Sequence, residues 1–294
     1  MGTVIDHVTL TEPGWRGRHS ALHLATTAAK DCLRATGTAA RDIDLLINAG
    51  IYRDRNLGEP ALAALIQHDI GANPEDPHAD GHGTFSFDVA NGSCGILSAL
   101  QIVEGFLMSH AIDRALIVAS DADPGHRMSK DFPFSPSAAA LLCRTDSRFG
   151  LQRIHWKNIA DDGESYRATV GLVDQRNVLR FTESDICDDR FAAAAAGAAE
   201  ECLRESGLRA DEVDAIVAAP AHEAFRTALA DHLAVSPARI TVANDPRMHT
   251  ASLAAAFRHL TDQAPAGGRV LIVAAGAGVT AGAALYQLPT AIAG

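Results

Sequence analysis

Residues 85–121 read FSFDVANGSCGILSALQIVEGFLMSHAIDRALIVASD. Phe85, Phe87 and Val89 alternate with Ser86 and Asp88, the pattern of a short strand. Asn91-Gly92-Ser93 turns the chain, and 96–108 is apolar on most faces, which predicts a helix buried in the middle of the molecule. Residues 115–119 read as a second apolar strand, closed by Ser120 and Asp121. Strand, small-residue turn and buried helix place Ser93 or Cys94 at a helix N-terminus. Unpaired backbone N–H groups and the helix dipole there favour a developing negative charge. This is the layout of a nucleophile elbow, although NGSCG differs from the hydrolase pattern. The same small residues would also serve plain packing, by letting a core helix approach closely.

The rest of the chain sets the frame. At 294 residues it can bury a large core as one domain or two fused halves. Alanine is prominent and aromatics make up only 5%, which suits layered α/β architecture. A net charge of −11 without any basic run argues against a nucleic-acid or anionic-membrane partner. Five cysteines without C-x-x-C spacing fit reduced thiols and a cytoplasmic location. No signal-peptide pattern opens the chain, and no apolar run reaches membrane-spanning length.

In order, strands are expected at 4–10, 43–49, 138–143 and 151–156, and helices at 20–35, 59–70 and 191–205. DCLRATGTAARDIDLLINAG at 31–50 lies over ECLRESGLRADEVDAIVAAP at 201–220 without a gap. Cys32 matches Cys202, Gly37 matches Gly207 and Asp44 matches Asp214. Each copy reads as helix, glycine stop, acidic loop and buried strand. One duplication predicts two related α/β halves, divided at 160/161, with a site where they meet.

These segments, with VLIVAAGAGVTAGAALY at 270–286, resemble the thiolase-fold condensing enzymes, most closely β-ketoacyl-acyl-carrier-protein synthase III. The resemblance implies a five-layer αβαβα fold of two duplicated halves and acyl transfer or Claisen condensation on thioesters of coenzyme A or carrier protein. No resident cofactor is implied; coenzyme A or the phosphopantetheine of acyl carrier protein would carry the substrate. Family members pair through the sheet edge beside the nucleophile helix, which implies a homodimer or a heterodimer with a homologue. The family's tryptophan and arginine that cradle the coenzyme A adenine have no counterpart in the first 19 residues, so carrier protein is the expected donor. Its F-G-D-G segment reads Phe134-Ser-Pro-Ser137 here.

Carried over residue by residue, the resemblance changes the chemistry. F-D-V-x-x-x-C-x-G-F laid from Phe87 puts Ser93 at the nucleophile position and Gly95 on the motif glycine. An ungapped alignment of 218–250 puts Ala219 at the base histidine of P-H-Q-A-N, His222 at its asparagine, and His249 at the asparagine of N-T-S. The oxyanion loop reads Gly276-Ala-Gly278, with the Ser93 and Gly278 amides as implied donors. A serine depends on an adjacent base, and a positioned base contributes roughly 10²–10⁴-fold. A weaker nucleophile and a missing base at once would silence condensation.

Three functions follow: a non-condensing subunit paired with an active homologue; an acyltransferase or thioester hydrolase using Ser93 with His249 or His222; and a true decarboxylative condensing enzyme. Each belongs to fatty-acid or polyketide-type metabolism. Cys94 is the alternative nucleophile, but one residue along a helix start turns a side chain by about 100°, so it is expected to pack. Gly276 to Gly282 mimics a dinucleotide fingerprint without the following helix and acid. His19 and His23 lack a third metal ligand nearby, and Asp121 and Asp123 fit strand-end turns as well as a cation. No metal is expected.

Overall fold

The computed structural model describes residues 2–14, 20–53, 61–73, 83–125, 128–129, 131–161, 163–174, 176–261 and 265–290. The first half runs β1 (Gly2–Thr11), α1 (Ala21–Thr36), β2 (Leu45–Asn48), α2 (Leu62–Ile70), β3 (Phe85–Asp88), α3 (Gly95–Met108), β4 (Arg114–Asp121) and β5 (Ser137–Asp146). The second runs β6 (Gly150–Leu151), β7 (His155–Asn158), a hairpin of β8 (Tyr166–Val173) and β9 (Arg176–Glu183), α4 (Cys187–Glu205), β10 (Ala215–Ala219), α5 (Glu223–Leu233), β11 (Ile240–Thr241), α6 (Ser252–Thr261), β12 (Arg269–Gly276) and β13 (Thr280–Gln287).

Two sheets carry the molecule, ordered β1-β5-β4-β2-β3 and β11-β10-β12-β13-β6, with β7 also on β13. Read outward from β2 and β10 they have one topology. β2 pairs parallel with β3 and β4, and β10 pairs parallel with β11 and β12. The next strand of each, β5 and β13, runs antiparallel. Sheet membership changes between Asp146 and Gly150, ahead of the expected division at 160/161, because β6 and β7 pair with β13.

The strands are near-continuous apolar runs because both faces are covered. Leu45 and Ile47 face a central layer with α3 and α6, whereas Leu46 faces α1 and α2. In the second sheet Val217 faces the same central layer, and Ile216 and Ala218 face α4 and α5. The order is α1/α2, sheet, α3/α6, sheet, α4/α5: the five-layer αβαβα arrangement.

The repeat seen in the sequence is physical. Gly37 and Gly207 both adopt left-handed φ, +64° and +66°, just past α1 and α4. Asp44 and Asp214 both sit just before the first parallel strand and cap the start of its neighbour. Asp44 Oδ2 accepts the amides of Asp113 (2.7 Å) and Arg114 (2.9 Å), and Asp214 Oδ2 accepts that of Arg269 (2.7 Å). Asp44 is buried and Asp214 exposed. Asp44→Ala should therefore lower unfolding free energy by about 2–3 kcal/mol and Asp214→Ala by about 1 kcal/mol or less, measured by urea titration.

Candidate active site

The site lies where the two central helices begin. Ser93 belongs to a short 3₁₀ turn, Gly92–Cys94, that runs into α3. Its side chain is buried, and its Oγ–H donates to the Ala275 carbonyl near the end of β12. Gly276 permits this approach: a Cβ there would stand 3.0 Å from Ser93 Oγ. Neither His222 nor His249 is hydrogen-bonded to Ser93 Oγ.

His249 enters from the other half, just ahead of α6. Its Nδ1 lies 3.3 Å from Oδ2 of Asp121, the last residue of β4, outside aligned hydrogen-bond geometry. Phe134 stacks on the imidazole at 4.1 Å and 16°, and Tyr52 packs at 5.5 Å. Nε2 faces the Gly92–Cys94 turn, 3.4 Å from where a Cβ on Gly92 would stand.

Asp121 is fully buried yet well supplied with donors. Oδ1 accepts the amides of Tyr52 (2.9 Å) and Ile51 (3.3 Å), and Oδ2 accepts the amide (2.9 Å) and hydroxyl (2.6 Å) of Thr250. Burial pushes its pKa up, but His249 and these hydrogen bonds outweigh burial and hold the carboxyl below the ordinary range. The Asp121 position read as a strand-end turn or cation ligand is thus the anchor of an imidazole. Asp123 accepts the Gly125 amide at 2.8 Å, a turn contact.

His222 is the N-cap residue of α5, and its Nδ1 lies 2.9 Å from Asp188 Oδ1 in the first turn of α4. That hydrogen bond raises its pKa against partial desolvation. Ala219, the residue aligned with the family's base, contributes no side-chain base to the cleft. It is the last residue of β10, opposite Ala274, with its side chain in the central core, because the strand runs on to that position; Pro220 and His222 are the residues that reach the cleft.

Ser93, His222, His249 and Gly276 all line one cleft of about 550 Å³. Gly278 lies outside that lining, in the turn to β13 with φ +74°; Gly276 and Ala277 reach the cleft instead. Cys94 is in the core, with Sγ directed at the Thr280 carbonyl (3.5 Å) and burial raising its pKa to about 12, which disfavours thiolate. Of the Gly276–Gly282 stretch, 280–282 lie in β13, not at a helix N-terminus. His19 lies outside the described residues, and among the described residues no group of three or more His, Cys, Asp or Glu could hold a metal ion. A second depression, about 360 Å³, has Glu205 at 2.8 Å from His155 and 3.3 Å from Arg153, and its Ser206 hydroxyl donates to the Cys202 carbonyl at 3.0 Å.

The hairpin β8–β9, absent from the sequence reading, forms one wall. Its paired positions Tyr166–Glu183, Ala168–Phe181 and Val170–Leu179 share one face, and five of those six residues line the cleft. Phe181 packs against Tyr52 (5.4 Å) and Phe134 (5.8 Å). The alternation of β8 was the available signal, but it lies on strands exposed over most of their length.

Asp121→Asn should cost about 3 kcal/mol at neutral pH, since an amide turns a donor toward backbone N–H groups. A carboxyl depressed in the folded state stabilises above its unfolded pKa of about 3.9 and loses that contribution as pH falls through the lower folded value. The gap between wild type and Asp121→Asn should accordingly narrow below about pH 4, measured by urea unfolding across pH.

Comparison with known proteins fits this geometry. Residues 203–288, which include His222, His249 and Gly276, match the family described as 3-oxoacyl-(acyl-carrier-protein (ACP)) synthase III C terminal. β-Ketoacyl-(acyl-carrier-protein) synthase III of Bradyrhizobium diazoefficiens is 26% identical, over 96% of this chain and 90% of the relative. The Sphingopyxis alaskensis protein of the same description is 29% identical, over 96% and 90%. The crystal structure of 3-oxoacyl-(acyl carrier protein) synthase III from Pseudomonas aeruginosa superposes with a TM-score of 0.81 at 19% identity, covering 99% of this chain and 100% of that one. With two sheets of one topology, the Gly92–Cys94 turn facing His249 and these relatives along nearly its whole length, the chain is a thiolase-fold protein similar to β-ketoacyl-(acyl-carrier-protein) synthase III.

Proposed function

We propose that this chain is a non-condensing synthase III-like subunit of fatty-acid or polyketide-type biosynthesis that pairs with an active homologue. The observation that carries this reading is the Ser93 hydroxyl, whose proton goes to the Ala275 carbonyl and not to an imidazole. A serine attacks a thioester only as a base takes its proton, and a carbonyl oxygen is not such a base. The two imidazoles of the cleft each have Nδ1 toward a carboxylate, Asp121 or Asp188, and Ser93 Oγ donates to neither ring. Claisen condensation asks still more, since an enolate must be stabilised beside a loaded nucleophile.

Pairing draws support from β3, the outer strand of the first sheet. Phe85 is 58% exposed there and packs on Phe87 (5.2 Å) and Phe106 (6.4 Å). An exposed apolar edge strand is a ready template for another chain. The donor in this reading is an acyl carrier protein or coenzyme A thioester engaged by the assembled pair.

One observation favours a second reading, acyl transfer or thioester hydrolysis. Asp121 holds His249 with Nε2 toward the turn that carries Ser93, so a χ1 rotation of Ser93 away from Ala275 could bring the hydroxyl under that imidazole.

Intact mass after incubation with acyl-coenzyme A and acyl-carrier-protein donors separates the two. For a silent subunit, wild type, Ser93→Ala and Cys94→Ala all remain at the unmodified mass. An acyl adduct present in wild type and lost only in Ser93→Ala would overturn that reading in favour of the serine enzyme. Loss only in Cys94→Ala would move the nucleophile by one residue.

A further inference from the structure

The cleft holds a second imidazole–carboxylate pair, and its environment differs from that of His249–Asp121. Asp188 and Asp189 both stand in the first turn of α4, but they serve different histidines: Asp188 bonds His222 at 2.9 Å, and Asp189 lies 3.9 Å from His232. A carboxylate only accepts, so the Nδ1 proton of His222 points to Asp188 and Nε2 is the ring atom left for a ligand. His249, by contrast, is enclosed between Phe134 and the Gly92 turn, with 14% of its side chain exposed against 34% for His222.

The charged groups around His222 come from each element packed on it. Asp188 belongs to α4 and Glu183 to the end of β9, and both favour the protonated ring. On its own helix Glu223 and Arg226 pair with each other at 2.6 Å. Arg247 also lines the cleft, with its Nε donating to the Pro133 carbonyl at 3.0 Å. Apolar side chains, including Phe134, Val170, Leu179 and Met248, line the same space. The cleft thus combines an apolar body with two carboxylate-backed imidazoles, of which His222 is the more exposed.

We propose that Asp188 is a positioning residue that fixes His222 as an imidazolium donor, and that this cleft binds, without a covalent bond, the carboxylate of an acid with an apolar body. The inference builds on the non-condensing reading, in which the cleft is kept while the chemistry is lost. It is nonetheless separable from it: an acyl adduct on Ser93 would contradict that reading and leave a binding result standing.

Calorimetric titration of decanoate and of decan-1-ol between pH 6 and 9 tests it, on wild type, Asp188→Asn and His222→Gln. The raised His222 pKa keeps the ring charged at low pH and loses the charge as pH rises through the folded value, so wild-type decanoate affinity should fall with rising pH. Asp188→Asn should move that inflection to lower pH and weaken decanoate by about tenfold near pH 7.5. His222→Gln should abolish the pH dependence, and decan-1-ol should bind all three proteins alike, which also reports that the variants fold. The proposal fails if wild type does not bind decanoate, if its binding is independent of pH, or if Asp188→Asn weakens both probes together without moving the inflection, as a purely structural role would.

Discussion

The site depends on one buried carboxylate. Asp121 ends β4 in the middle of the first sheet and receives donors from two segments far apart in sequence: the Ile51–Tyr52 backbone after β2 and Thr250 ahead of α6. Isolated, a charge so buried would cost several kcal/mol; with four hydrogen bonds and an imidazole at 3.3 Å it is held in its charged form. Gly50 makes this possible, because a Cβ there would stand 2.2 Å from the Ser120 carbonyl, and only a bare backbone can pass so close to the end of β4. The seam between the halves is therefore fastened at the point where His249 must be placed.

Duplication explains why Ser93 and His249 face one cleft. Ser93 precedes α3 and His249 precedes α6, the corresponding central helices of the two halves, and both helices pack in one core between the sheets. Folding the halves face to face brings the two helix starts together without a dedicated loop. What surrounds them is less symmetric. The β8–β9 hairpin belongs to neither main sheet and walls the cleft from one side, where Tyr166 and Leu179 are its more buried contributions. Here function has been grafted on a fold that does not itself dictate it.

Much of the fold was legible because each layer leaves its own pattern. Strands buried on both faces read as continuous apolar runs, α3 reads as apolar all round, and the aligned Gly37/Gly207 and Asp44/Asp214 pairs mark equivalent caps. The register that put Ser93 at the turn needed only a local motif. What the alignment could not tell is where the strand stops: β10 runs on to Ala219 and keeps that side chain in the core. Asp188 was invisible as a partner of His222, since 34 residues separate them and acids in a first helical turn are ordinary. The hairpin went unread because its strands are largely exposed and make their contacts through a cleft and not a core.

The silence assigned to Ser93 is a statement about where its proton goes. The most direct measurement is the second-order rate at which a fluorophosphonate labels Ser93, followed by mass across pH 6–9. A hydroxyl committed to the Ala275 carbonyl should be labelled no faster than a serine in an unfolded peptide, with no inflection near neutral pH. Rapid stoichiometric labelling that rises through neutral pH and disappears in His249→Ala would contradict this, and would make Ser93 a working nucleophile.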